Sequence, residues 1–246
     1  MKSRNPLLRY AVALCMGAAA AQAGAAGYVD LGKTGTPVLK SCNPTNSASQ
    51  TACKVASLPG VSGYTLVGSR STPIVKNDVR VGTLYDKVWR SSSDPNYYIF
   101  GMKVTVNTTQ WDPSGNAFNV NDLARRLRLH APASGAYFMD GSTKALLKVG
   151  RTNEGLNEYT GAQPDRDNTW VDFRVDANAA DPDGTNSPNS PWVLVQTRAP
   201  KGYAVNDFGA RVLNSDFATV SDSVEVFVPS YQPNGVPPPD DGGDDD

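Results

Sequence analysis

Asp181, Asp183 and Asn186 set three hard oxygen donors close together in the stretch "DPDGTN", the donor type that calcium takes. These three are the candidate metal ligands, and calcium is the one cofactor the chain suggests. The spacing is not that of an EF-hand loop, which needs oxygens at alternate positions and a glutamate at the twelfth. A competing reading is purely architectural. Asp-Pro recurs at "SDPN", "WDPSGN" and "ADPDGTN", and in the last two a glycine follows the aspartate by three residues. Proline presets φ and the aspartate accepts from the backbone ahead of it, which is the signature of a tight turn.

A second chemical candidate is the pair Glu154 and Glu158 in "RTNEGLNEYTG", two of only three glutamates in the chain. Paired acids flanking a sugar are the machinery of glycoside hydrolysis, so a glycan-active hydrolase or lyase would use these two. Gly155 and Asn157 argue against the helical turn that would put both on one face. A third candidate is the polar edge of "TWVDFRVD", where Trp170, Asp172, Arg174 and Asp176 alternate with Val171, Phe173 and Val175. An exposed indole there could stack on a sugar while the carboxylates accept its hydroxyls. The pair Tyr97-Tyr98 beside "SSSDPN" belongs to the same glycan-binding reading. His130 is the only histidine and no serine stands in a nucleophile-elbow context, so neither a Ser-His-Asp triad nor a zinc site is expected. No Gly-rich loop links a strand to a helix in the nucleotide-binding pattern. No catalytic residue is assigned, and the residue inventory favours a protein that is not an enzyme.

The elements that must carry these groups are mostly strands. "YYIFGMKVTVN" alternates with Tyr98, Phe100, Met102, Val104 and Val106 on one face, the period of a half-buried strand. "VRVGTLYDKVWR" precedes it across "SSSDPN" and predicts a hairpin. "AYFM" and "TKALLKV" around Asp140-Gly141 predict a second. "WVLVQTR", "GARVL" and "VEVFV" add further strands. In "NVNDLARRLRLH", Val120, Leu123, Ala124 and Leu127 follow helical spacing, so the sequence predicts one short helix, or a helical turn running into a strand, with its arginines facing water. Eight or nine strands and at most one helix predict an all-β β-sandwich or jelly-roll-like domain.

The ends are different in kind. Lys2, Arg4 and Arg9 precede a short apolar run and an Ala21-Gln22-Ala23 cleavage site, the anatomy of an export signal. The expected organisation is a signal peptide over 1–23, an extension with a disulfide loop over 24–60, the sandwich over 61–232, and a disordered Pro-rich acidic tail or linker over 233–246. The expected location is secreted, or periplasmic or extracellular, after cleavage near Ala23. Cys42 and Cys53 are then the remaining thiols and are expected to pair around a loop with nothing apolar to pack. Without the signal's three cations, 20 basic residues face 24 acidic ones, and five of the acids lie in the tail. The body is therefore near neutral and offers no basic field for nucleic acid. No apolar run reaches the length of a membrane span.

Composition thus predicts a secreted, non-enzymatic β-sandwich with a structural, matrix or adhesion-type role. The alternative is a carbohydrate-binding module, either calcium-dependent or not. The expected partners are a surface glycan or another extracellular protein.

Overall fold

The computed structural model describes residues 27–31, 40–42, 53–60, 63–112, 115, 117–127, 131–140, 147–151, 170–180, 187–214 and 224–235, with backbone alone for 40–42 and 147–151. The chain is all-β. In order, the strands are β1 (Val29–Asp30), β2 (Lys40–Cys42), β3 (Tyr64–Lys76), β4 (Val79–Ser91), β5 (Tyr97–Val106) and β6 (Val120–Arg126). They continue with β7 (Ala133–Phe138), β8 (Leu147–Arg151), β9 (Trp170–Ala177), β10 (Trp192–Arg198), β11 (Tyr203–Asn214) and β12 (Val224–Pro233). They form two six-stranded sheets, a front sheet ordered β1-β7-β10-β5-β4-β3 and a back sheet ordered β12-β11-β6-β9-β8-β2. Neighbouring strands are antiparallel in both. This is the sandwich that the alternating sequence predicts. Among the described residues no helix is long and apolar enough to cross a membrane.

Alternation sorts the side chains as expected in β5 and β9. Met102, Val104 and Val106 of β5 meet Val171, Phe173 and Val175 of β9 in the inter-sheet core, where Tyr137 and Phe173 pack edge to face at 5.3 Å. The "SSSDPN" hairpin is also present: β4 pairs with β5 from Gly82↔Val106 to Arg90↔Tyr98. The Tyr97 amide donates to the Asp94 carbonyl at 3.0 Å. The turn in "WDPSGN" closes the same way, Gly115 N–H donating to the Asp112 carbonyl at 3.1 Å.

Two expectations are corrected. The segment read as a helix is strand β6, paired with β11 and β9. A register shift against β9 between Val120 and Asp122 brings Val120 to the core side with Leu123 and Leu127, which mimics helical spacing. Arg125 and Arg126 do not face water, at 0% and 3% exposure. The "AYFM" and "TKALLKV" segments do not form a hairpin. β7 pairs with β1 and β10 in front, whereas β8 pairs with β2 and β9 behind. Asp140 instead accepts from Lys103 Nζ at 2.8 Å and Trp192 Nε1 at 3.2 Å.

The sheets are joined at one point by charge. Asp86 on β4 and Arg125 on β6 both point into the sandwich, both fully buried, and pair at 2.7 Å. The Ser230 hydroxyl and the Tyr231 amide of β12 each donate to Asp86 Oδ2 at 2.6 Å. Arg125 donates to Ser230 Oγ at 2.6 Å, to the Tyr231 carbonyl, and to the Gly101 carbonyl at 3.4 Å. Four strands from two sheets therefore meet on one ion pair. Gly101 is required by close approach, since a Cβ there would lie 2.7 Å from Trp89 and 2.9 Å from Leu194.

Breaking a buried pair leaves an uncompensated charge, so Arg125→Met is expected to lower unfolding free energy by about 3–5 kcal/mol in urea titrations. Arg125→Met combined with Asp86→Leu should recover most of that loss. A single-variant loss below about 1 kcal/mol, the scale of an exposed pair, would show the pair to be no more than ornamental.

Candidate functional site

The outer face of the front sheet carries its own apolar layer. Trp89, Ile99, Ala136, Trp192 and Leu194 pack there with Val55, and the chain at 53–55 is tied to β7 by Val55 N–H donating to the Tyr137 carbonyl at 2.8 Å and Tyr137 N–H donating to the Cys53 carbonyl at 2.7 Å. Beside this layer lies a cavity of about 420 Å³ lined by Tyr28, Tyr64 and Tyr97 with Asp30, Asp94 and Gln196.

Each wall has a local cause. Tyr28 and Asp30 flank or belong to β1, the short edge strand held by the pairings Val29↔Gly135 and Asp30↔Ser134. Tyr64 opens β3, and its hydroxyl oxygen accepts from Gln196 Nε2 of β10 at 2.7 Å, which leaves its own O–H proton to donate. Asp94 and Tyr97 come from the β4–β5 turn. Ser91 Oγ accepts the amides of Ser93 and Asp94 at 3.3 and 3.2 Å, and Asp94 Oδ1 accepts the Asn96 amide at 2.9 Å. These are the side-chain-to-backbone bonds that short polar residues supply in turns. Arg198 lies 3.3 Å from Asp94 Oδ2 across the rim, with both side chains well exposed.

The hydroxyl of Tyr28 is buried and has no hydrogen-bond partner among the described residues. Burial, followed by the neighbouring Tyr64, pushes its ionisation well above the usual tyrosine range. Burial also raises Tyr64, against the lowering effect of the Gln196 hydrogen bond, and raises Tyr97. All three phenols are therefore neutral donors at physiological pH, gathered around two carboxylates. The arrangement fits a hydroxyl-rich ligand: rings for its apolar faces, phenols to donate, carboxylates and amide to accept.

The sequence-derived candidates fall elsewhere. Trp170, Asp172 and Arg174 share the outer face of the back sheet but are 4%, 0% and 7% exposed, and Asp176 is half-buried. Trp170 is therefore not the open sugar platform that its polar neighbours suggest. The Arg211 and Arg126 guanidiniums lie 4.8 and 5.6 Å from its ring centre, with Phe227 at 6.1 Å. Asp122 pairs with Arg174 at 3.4 Å and Asp172 lies 3.9 Å from Arg211. Burial, then the charge of Asp122, raises the Asp172 ionisation well above the carboxylate range. These groups are buried against one another rather than turned to solvent. Glu154, Glu158 and His130, and the calcium candidates Asp181, Asp183 and Asn186, lie outside the described residues. Among the described residues no three His, Cys, Asp or Glu side chains converge as a metal set. Trp89 and Trp192 are core at 3% and 6% exposure, and Tyr98 points inward against Phe100. Tyr97 alone of that aromatic group reaches the pocket. Tyr28 and Tyr64 carry no local sequence signal, because only the sheet order brings them together.

Compared with family models, curated proteins and solved structures, the chain matches none.

An unpaired buried hydroxyl costs the free protein about 1–3 kcal/mol. Tyr28→Phe is therefore expected to raise unfolding free energy by about 1 kcal/mol. Because the folded phenol ionises above the unfolded value near 10, wild-type stability should fall as pH rises past about 10. The Tyr28→Phe variant should flatten that decline, read by denaturant titration at pH 8 and pH 11. Equal decline in both proteins would count against the burial of this phenol.

Proposed function

We propose that the protein is an exported, non-enzymatic β-sandwich module of the adhesion or matrix type that binds a carbohydrate in the tyrosine pocket. The observation that carries this is the unpartnered, buried hydroxyl of Tyr28 at the pocket wall. A ligand oxygen is what would satisfy it. Cation capture is disfavoured because Arg198 already offsets Asp94. Hydrolysis is disfavoured because both Asp94 oxygens are engaged, one with the Asn96 amide and one with Arg198, which suits an orienting acceptor better than an acid that must give up a proton.

Export rests on the basic, apolar and A-x-A sequence of the first residues. It agrees with a Cys42–Cys53 cystine, which we also propose, supported by the burial of Cys53 in the inter-sheet core at 1% exposure. The link would fasten β2 at the edge of the back sheet to the segment covering the front one, contributing about 2–3 kcal/mol. The intact mature protein should then weigh two hydrogens less before reduction than after, and equal masses would remove the cystine.

Calorimetric titration with methyl glucoside, methyl galactoside and N-acetylglucosamine tests the ligand class. At least one should bind, and Tyr28→Phe should weaken it about tenfold, the worth of one buried hydrogen bond. Saccharide binding indifferent to Tyr28→Phe, or no binding by any of the three, would refute the pocket as the site. Repeating the titration in EDTA separates this reading from calcium dependence through Asp181, Asp183 and Asn186, and pocket binding is expected to persist.

A further inference from the structure

The geometry points to a second subsite beside the tyrosine pocket that takes an acidic sugar unit, so that the ligand is an acidic oligosaccharide. This rests on the saccharide reading above and extends it along the same face. A second concavity, also about 420 Å³, shares Tyr64 with the first and is lined further by Leu58, Gly60, Leu66, Lys87 and Trp89. Tyr64 is thus a common wall rather than an end, and a chain-like ligand can pass from one hollow to the next.

The second hollow differs in chemistry. Leu66, 47% exposed, gives it an apolar rim beside the half-buried Tyr64 ring, with Trp89 buried beneath. This is a surface for the C–H face of a sugar ring. Gly60 adopts φ +109 beside the Trp89 indole, a backbone conformation that favours glycine. Among the described residues Lys87 is the one charged residue lining this hollow. Its ammonium stands 4.9 Å from the Trp192 ring centre, and among the described residues no carboxylate forms an ion pair with it. The first pocket holds Asp30 and Asp94 instead. A carboxylate-bearing unit is attracted at Lys87, which sets the direction of the ligand: neutral unit at Tyr28, acidic unit at Lys87.

The probes are the three neutral sugars above, each compared by calorimetry with the disaccharide in which it is joined to glucuronate. The glucuronate disaccharide should bind about tenfold more tightly than the neutral sugar alone, as one charge-assisted hydrogen bond would give, and the advantage should shrink as salt is raised. Lys87→Met, which keeps the stem over Trp192, should abolish that advantage, and Lys87→Arg should restore it. A disaccharide no better than its neutral unit, or an advantage surviving in the Lys87→Met variant, overturns the second subsite while leaving the first pocket standing. Failure of every sugar to bind wild type removes both.

Discussion

The buried Asp86–Arg125 pair is the interaction on which the rest of the architecture hangs. Two charges taken from water cost several kcal/mol each unless nearly every donor and acceptor is met. Here the carboxylate takes Arg125, Ser230 and a β12 amide, and the guanidinium reaches three strands. Apolar packing would hold the sheets together in many neighbouring registers. A pair with fixed hydrogen-bond geometry holds them in one, because sliding either sheet strands a charge. That is the physical ground for a rigid platform beneath the front sheet, since Asp86 lies on the same strand as Lys87 and Trp89.

Rigidity matters because the pocket is assembled from remote pieces. Tyr28 comes from beside an edge strand of two residues, Tyr64 from the start of β3, Tyr97 from the β4–β5 turn, and Gln196 from β10. None of these touches its fellows through local sequence. Gln196 fixes Tyr64, and the Asp94 turn fixes Tyr97, so their rings and donors are set before a ligand arrives. Preorganisation of this kind lowers the ordering cost of binding. The back face shows the opposite use of similar residues. There Trp170, Asp122, Asp172, Arg174 and Arg211 lie against one another under the surface, so the indole and the carboxylates are packed in rather than presented to solvent.

The sequence is legible wherever one face is buried and the other wet. β4 alternates because its inner residues enter the core while part of its outer face is open, β5 and β9 alternate in residue type although their outer faces are largely covered, and the Asp-Pro turns declare themselves by residue type. It is misleading where both faces are covered. β6 buries every residue, so polarity does not alternate, and the register shift near Val120 supplies a false helical period. β3 is missed for the converse reason: as an edge strand with only two of its thirteen residues buried and Pro73 within it, it lacks the apolar run of a central strand. Alternation puts the polar residues of β9 on one face, but whether that face is open depends on what the neighbouring strands lay over it. The pocket is legible only in Tyr97, since sheet order, not spacing, delivers the other two rings.

The most direct measurement is isotope-filtered NMR on the protein saturated with a ¹³C-labelled bound sugar. Nuclear Overhauser contacts from the sugar to the ring protons of Tyr28, Tyr64 and Tyr97 are expected, with none to Trp170 or Phe227. Contacts to Trp170 and Phe227 with none to the three tyrosines would contradict the account.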